Sequence, residues 1–206
     1  MVGLGEPPRQ VVTARLLLRP YHPRDAALLK DAVDSSLDHL RTFMEWAWSA
    51  PEAESIVRDR LKDFRRSFER GHDWIYGIFT PDERELVGGC GLHRRIGPEA
   101  LEIGYWIRAS RVRQGLAFEA AAALTRVSFE QCGAIRTEIH VDPANLPSIG
   151  VAEKLGYVRD GTLRKRLPPM PPGTERRDEV LFSLLDEEYP RSPAAAVGVA
   201  GLPRAA

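Results

Sequence analysis

Cysteine is scarce: Cys90 and Cys132 are the two in 206 residues. A disulfide scaffold needs more cysteines in a shorter chain. The sequence therefore predicts free thiols in a reducing compartment, the cytoplasm. No run of 18 apolar residues occurs, which excludes a helix able to cross a bilayer. The opening Met1-Val2-Gly3-Leu4-Gly5-Glu6 lacks the basic-then-apolar order of a signal peptide. Excess charge of either sign is absent too. Lys+Arg and Asp+Glu both number 29, giving a formal net charge of zero. A dedicated nucleic-acid binder carries a basic excess to neutralise phosphates. Neither nucleic acid nor a membrane is an expected partner. The histidines at 22, 39, 72, 93 and 140 show no metal-ligand spacing, so no metal is expected. Neither a Gly-x-Gly-x-x-Gly fingerprint nor a Walker loop is present.

What is present is ordinary for a globular protein: 43% hydrophobic and 28% charged residues, at a length that suits one domain. Residues 1–10 read as a flexible N-terminus, 11–189 as the folded domain, and the Pro-, Ala- and Gly-containing 190–206 as a disordered tail. Periodicity gives the element order: a short strand ending at Pro20, helical pieces to Gly71, three strands, a long helix, a strand, a short helix and two last strands. That order specifies a mixed α/β sheet, antiparallel at first, with a parallel crossover around the long helix.

Two segments carry candidate chemistry. In the first, the strand Glu102-Ile103-Gly104-Tyr105-Trp106-Ile107 leads through Arg108 into Arg113-Gln114-Gly115-Leu116-Ala117, which opens the long helix. Amides at a helix start lack intrahelical partners and, with the dipole, attract anions. Gly115 lets backbone approach a phosphate, and Arg113 adds positive charge. An ordinary loop cap is the competing reading. In the second, Asn145 and Ser148 open a short helix that runs into Glu153-Lys154-Leu155-Gly156-Tyr157. Asn145 either caps that helix or binds an amide-bearing ligand.

Taken together, Gln-Gly-x-Ala at one helix start, then Asn-x-x-Ser and Glu-Lys-Leu-Gly-Tyr, resemble the GNAT superfamily of acetyl-CoA-dependent N-acetyltransferases. The chain is most similar to its ribosomal-protein alanine/serine N-terminal acetyltransferase (RimJ/RimL-like) branch. Thr13 to Pro20, Glu102 to Ile107, and Gly161 to Arg164 with Asp178 and Phe182 to Leu185 look like that branch's strands. The resemblance implies an α/β GNAT fold: a mostly antiparallel sheet, flanked by helices and splayed between its fourth and fifth strands. It implies acetyl-CoA as acyl donor. Pantetheine would lie along backbone near Trp106, Ile107 and Arg108, and pyrophosphate on Arg113, Gln114, Gly115, Leu116 and Ala117. Asn145 and Ser148 would face the thioester end. One departure is Val112, where the superfamily often has Gln or Arg three residues before the glycine; Arg113 is the substitute at hand.

An amine attacks a thioester only when neutral, so a proton acceptor is needed. Glu102, on the face shared by Gly104 and Trp106, matches the branch's fourth-strand glutamate and is expected to act as a water-mediated general base. The tyrosine that many relatives use as acid is replaced by Ala152, which leaves Ser148, matching a serine of the branch, as the possible general acid. Trp46, Trp48, Trp74, Tyr76 and His93 are candidates for the acceptor wall, with core or surface roles as the competing readings. Such a wall suits a peptide N-terminus. It also suits a small amine such as an antibiotic, amino sugar or metabolite. A non-catalytic acyl-CoA-binding module is the third reading. The protein is expected to be a monomer or homodimer.

Overall fold

The computed structural model describes residues 3–200 apart from Pro172. The chain enters through β1 (Val11–Val12) and β2 (Leu17–Pro20). It then forms α1 (Ala26–Asp34), α2 (Leu37–Arg41) and α3 (Glu54–Glu69). Three strands follow: β3 (Asp73–Phe79), β4 (Leu86–His93) and β5 (Ala100–Ile107). Next come α4 (Leu116–Glu130), β6 (Arg136–Val141), α5 (Leu146–Lys154), β7 (Val158–Leu167) and β8 (Arg177–Leu185).

The eight strands form one sheet in the order β1-β2-β3-β4-β5-β6-β8-β7. Every pairing is antiparallel except β5 with β6. Those two match only over Ala100–Arg136, Leu101–Thr137 and Glu102–Glu138. Beyond Glu102 they part. With β1 and β2 together as the opening strand, β5 and β6 are the fourth and fifth of the expected pattern, and the sheet opens between them as expected.

Each face of the sheet carries its own core. On one face α4 lies against β4 and β5 through Ala120 to Ala123, all fully buried. Side chains that short let the helix sit close to the strands, where Leu92, Leu101, Ile103, Leu124 and Phe182 interlock. On the other face α1 and α3 cover Tyr21, Phe79 and Leu86 with Leu29, Val57 and Leu61. Each large side chain removed from water this way contributes about 1.5–3 kcal/mol. The splay is thus held open between two packed layers.

Both chain ends depart from the sequence expectation over the residues described. Gly5 N–H donates to Cys132 O at 2.8 Å, and Tyr76 Oη donates to Pro8 O at 2.8 Å, so 3–10 run along the body of the fold. After β8, two 3-10 turns, Tyr189–Arg191 and Pro193–Ala196, lead along α4. Ala194 and Val199 are buried, Val197 O accepts from Arg126 Nη1 at 2.9 Å, and Ala200 N donates to Val12 O at 2.8 Å. This segment packs through single side chains and backbone acceptors rather than a periodic face, so its sequence pattern reads as tail. Residues 1, 2 and 201–206 of the expected flexible ends lie outside the described residues.

Candidate active site

The opening past Glu102 is bordered by side chains that strand alternation sorts onto two faces. Ile103 and Tyr105 go to the α4 side, whereas Trp106 packs with the α1–α3 side. Glu102, Gly104 and Trp106 share this second face. Across the ladder they oppose His93, Gly91 and Gly89. The glycines leave room for the rings: a Cβ at Gly91 or Gly104 would come within 3.1 or 3.2 Å of His93 Nε2, and one at Gly89 within 2.6 Å of Trp106 Nε1. His93 therefore lies over the sheet beside Glu102, with Nδ1 3.1 Å from Asp73 Oδ1.

Glu102 is buried, yet Arg95 donates to both of its carboxylate oxygens, Nε to Oε2 at 2.7 Å. Burial alone pushes this carboxyl upward. The Arg95 guanidinium outweighs it, and Glu102 is held below its ordinary value. Glu102 is thus an anchored carboxylate, which is a weak proton acceptor.

Three groups that motif reading does not single out lie on the same face. Parallel register puts Glu138 beside Glu102, and His140 is two residues further along β6. His140 Nε2 is 2.7 Å from Glu138 Oε2, and its Nδ1 is 3.4 Å from Glu179 Oε2 on β8. Glu138 Oε1 also accepts from Arg136 Nε at 2.5 Å. A cleft of about 210 Å³ exposes His140. Its lining also includes Phe43, Met44 and Glu45 together with Leu167, Pro168 and Arg177. Alternation on β6 would have paired Glu138 with His140; their approach to Glu102 and Glu179 needs the sheet register.

At the far side of the cleft Asn145 caps α5, its Oδ1 accepting from Ser148 N at 3.2 Å. Ser148 Oγ lies 2.9 Å from Tyr105 Oη. Burial pushes the Tyr105 phenol up to about 12. Asn145, Ser148, Tyr105, Gly104 and His140 all line one cleft.

The start of α4 is built differently. Arg113 and Gly115 take left-handed φ of 61° and 76°, and Gly115 is an N-cap with no side chain to satisfy the first amides. Those amides have no partner inside the helix. Arg15 stands beside them: Nη1 donates to Gln114 O at 2.9 Å and Nε to Glu119 Oε2 at 2.7 Å. Glu119 is buried and also accepts from Thr13 Oγ1 at 2.6 Å, which ties the first strand region to this turn.

Several expectations change. Arg108 donates its amide to Val87 O on β4, and its side chain to Asp31 and Ser35. By antiparallel alternation Trp106 also turns its backbone to β4. Among the residues expected along pantetheine, Ile107 therefore presents backbone to the opening, joined by Tyr105, while Trp106 and Arg108 do not. Trp74 and Tyr76 are core rather than acceptor wall. Both are buried on the α4 face, where Tyr76 meets Phe68 edge-on at 5.2 Å. Trp46 and Trp48 remain 41% and 39% exposed. Trp46 lies 5.7 Å from Trp106, and Arg41 sits over Trp48. Both thiols are buried and pushed upward by burial.

The model of the acetyltransferase (GNAT) domain matches residues 15–158. The chain belongs to that family. An uncharacterized N-acetyltransferase of Bacillus subtilis, YnaD, is 27% identical over 180 residues, 87% of this chain and 98% of that one. The [ribosomal protein uS5]-alanine N-acetyltransferase of Escherichia coli is 27% identical over 185 residues, 89% of this chain and 94% of its own. Among solved structures, Mycobacterium smegmatis RimJ in complex with CoA-disulfide superposes with a TM-score of 0.80 at 27% identity, covering 92% of this chain and 94% of that one. The expected likeness to GNAT N-acetyltransferases, ribosomal-protein enzymes among them, is thus met across nearly the whole fold.

Proposed function

We propose that this acetyltransferase moves an acetyl group from acetyl-CoA to the α-amino group of a protein or peptide N-terminus. The observation that carries the reading is the opening between β5 and β6, where Gly104, Tyr105, Asn145, Ser148 and His140 line one polar cleft, while β5 leads in sequence to a helix start with no side-chain cap. The residues present fit the donor. A Cβ at Gly115 would meet nothing closer than Arg15 Nη2 at 3.5 Å, so the backbone is open to a bulky anion with a cation beside it. The amides of Gly115, Leu116 and Ala117, with Arg113 and Arg15, would hold the pyrophosphate. Backbone of Tyr105 and Ile107 would run beside the pantetheine arm, with Asn145 and Ser148 at its reactive end. Bound there, acetyl-CoA supplies an activated acyl group. Ser148 Oγ–H then offers a proton to the departing sulfur and takes one back from the newly acylated nitrogen, so the hydroxyl ends as it began. Glu102, paired with Arg95 through both oxygens, has a depressed proton affinity that suits a fixed charge beside the cleft better than the general-base role expected from sequence. Trp46 and Trp48, exposed in the segment that follows the cleft residues Phe43 to Glu45, would offer an apolar surface to the following residues of a peptide.

The relatives that act on ribosomal-protein N-termini support the peptide acceptor. The modest cleft volume favours a second reading, acetylation of a small amine. The test is CoA release with acetyl-CoA against peptides of varied first residue and a panel of small amines. Turnover on peptides is expected. Turnover on small amines alone would transfer the assignment to the second reading, and acetyl-CoA binding without turnover on any amine would overturn both.

A further inference from the structure

The cleft needs a group that takes a proton near neutral pH, and Glu102 is occupied by Arg95 on both oxygens. We infer that His140 is the proton acceptor, its Nδ1 drawing the proton from the acceptor ammonium while Glu138 fixes its Nε2–H. The inference rests on the acetyl-transfer reading of this cleft. Its geometry is that of a carboxylate–imidazole pair. Glu138 is held from behind by Arg136 at 2.5 Å and accepts from His140 Nε2 at 2.7 Å. A carboxylate can only accept, so in the neutral ring that contact puts the proton on Nε2 and leaves the lone pair on Nδ1 for the acceptor. Glu179 Oε2, 3.4 Å from Nδ1, marks a place where a cationic amine meets a carboxylate and the imidazole lone pair together.

The surroundings on every side are charged. Glu138 and Asp142 come from β6 itself, the latter paired with Arg177 of β8. Glu179 comes from β8, with Arg166 of β7 3.9 Å away. Glu102 comes from β5, paired with Arg95 of the loop before it, and Glu45 lines the cleft. In the step, one N–H bond of the ammonium breaks and one forms on Nδ1. The neutral amine keeps the electron pair for attack. The imidazolium returns its proton to water after product leaves.

His140→Gln keeps an N–H for Glu138 but has no basic lone pair; His140→Ala leaves a space that free imidazole can enter. Rates are read with the wild-type acceptor peptide across roughly pH 5.5 to 9, together with acetyl-CoA affinity. In both variants kcat/KM should fall about 100-fold or more, with acetyl-CoA affinity unchanged. The acidic limb of the wild-type profile should vanish in His140→Gln. Added imidazole should restore part of the rate of His140→Ala and none to His140→Gln. A rate within about threefold of wild type overturns the inference. So does a loss that leaves the acidic limb in place and is not relieved by imidazole. A wild-type enzyme that releases no CoA with any amine overturns the proposed function, and this inference with it; a wild-type enzyme that turns over while His140 proves dispensable overturns the inference alone.

Discussion

The Tyr105 hydroxyl and Ser148 Oγ lie 2.9 Å apart, joining β5 to α5 across the opening where the sheet splays. Burial keeps Tyr105 a neutral phenol, pushed up to about 12. It therefore stays a donor throughout the working range and orients the Ser148 hydroxyl rather than ionising itself. One hydrogen bond of this kind contributes about 0.5–1.5 kcal/mol. Tyr105→Phe should then lower kcat by roughly 3- to 10-fold with little change in the KM for acetyl-CoA. Ser148→Ala should cost at least as much. The double variant should be no slower than Ser148→Ala, because the phenol acts through the serine. Additive losses in that cycle would show that the two residues work separately.

Gly115 supplies a prediction about the donor side. Its φ of 76° is left-handed, and a residue with a Cβ resists that conformation by about 1–2 kcal/mol. Space is not the obstacle, since the nearest atom to an added Cβ is 3.5 Å away. Gly115→Ala should lower the melting temperature by about 2–8 °C and weaken acetyl-CoA binding. Gly133→Ala is the control. That glycine, past the other end of α4, has φ of 67° and open space around it. It should cost similar stability and leave acetyl-CoA affinity alone. Equal loss of affinity in both would mean that general destabilisation, not the helix start, explains the effect.

The contrast between these glycines and His140 shows what a sequence can disclose. The strand-to-helix turn at Gly115 and the cap at Asn145 are local: a few adjacent residues determine them, and both are legible from spacing alone. The cluster around His140 is not. Glu102, Glu138 and Glu179 sit on three strands, brought to one face by a parallel register between β5 and β6 and an antiparallel one between β6 and β8. Hydrophobic patterning places the strands but leaves the register between them open. Trp74 and Tyr76 misled for a related reason. An aromatic strand reads the same whether its face meets a cleft or a helix, and here α4 lies on that face. The segment after β8 misled because its contacts are single and aperiodic.

The Arg95–Glu102 pair gives a dependence on pH with a definite sign. Arg95 holds the Glu102 carboxyl below its ordinary value in the folded state. A depressed carboxyl stabilises the fold above the usual carboxylate range, and that contribution is lost as pH falls through the folded-state value. Arg95 itself is 64% exposed, so solvent screens much of the pair. Arg95→Gln should therefore cost about 1 kcal/mol near neutral pH in denaturant unfolding, with the gap to wild type narrowing in acid. A gap independent of pH would show that Arg95 stabilises by packing alone.

The segment after Tyr189 makes the strongest claim on stability. Ala194 is fully buried against α4, and Pro193 presses on Gly156, where an added Cβ would come within 2.9 Å of its ring. Arg126 on α4 donates to Val197 O, and Ala200 extends the edge at Val12. Deleting 190–206 removes these contacts together: two small buried side chains and two backbone-directed hydrogen bonds, about 2–4 kcal/mol in all. The melting temperature should fall by roughly 5–15 °C on that basis. Ala194→Asp tests the same packing in the full chain, since a carboxylate at a fully buried site is expelled or neutralised at a cost of similar size. Neither change replaces a residue of the helix start at Gly115 or of the cleft at His140. The surviving folded protein should therefore bind acetyl-CoA and turn over as wild type does at low temperature. A deletion variant that melts with wild type would show that the described stretch 190–200 packs on the fold without supporting it. Loss of turnover at a temperature where the variant remains folded would instead tie this segment to the site.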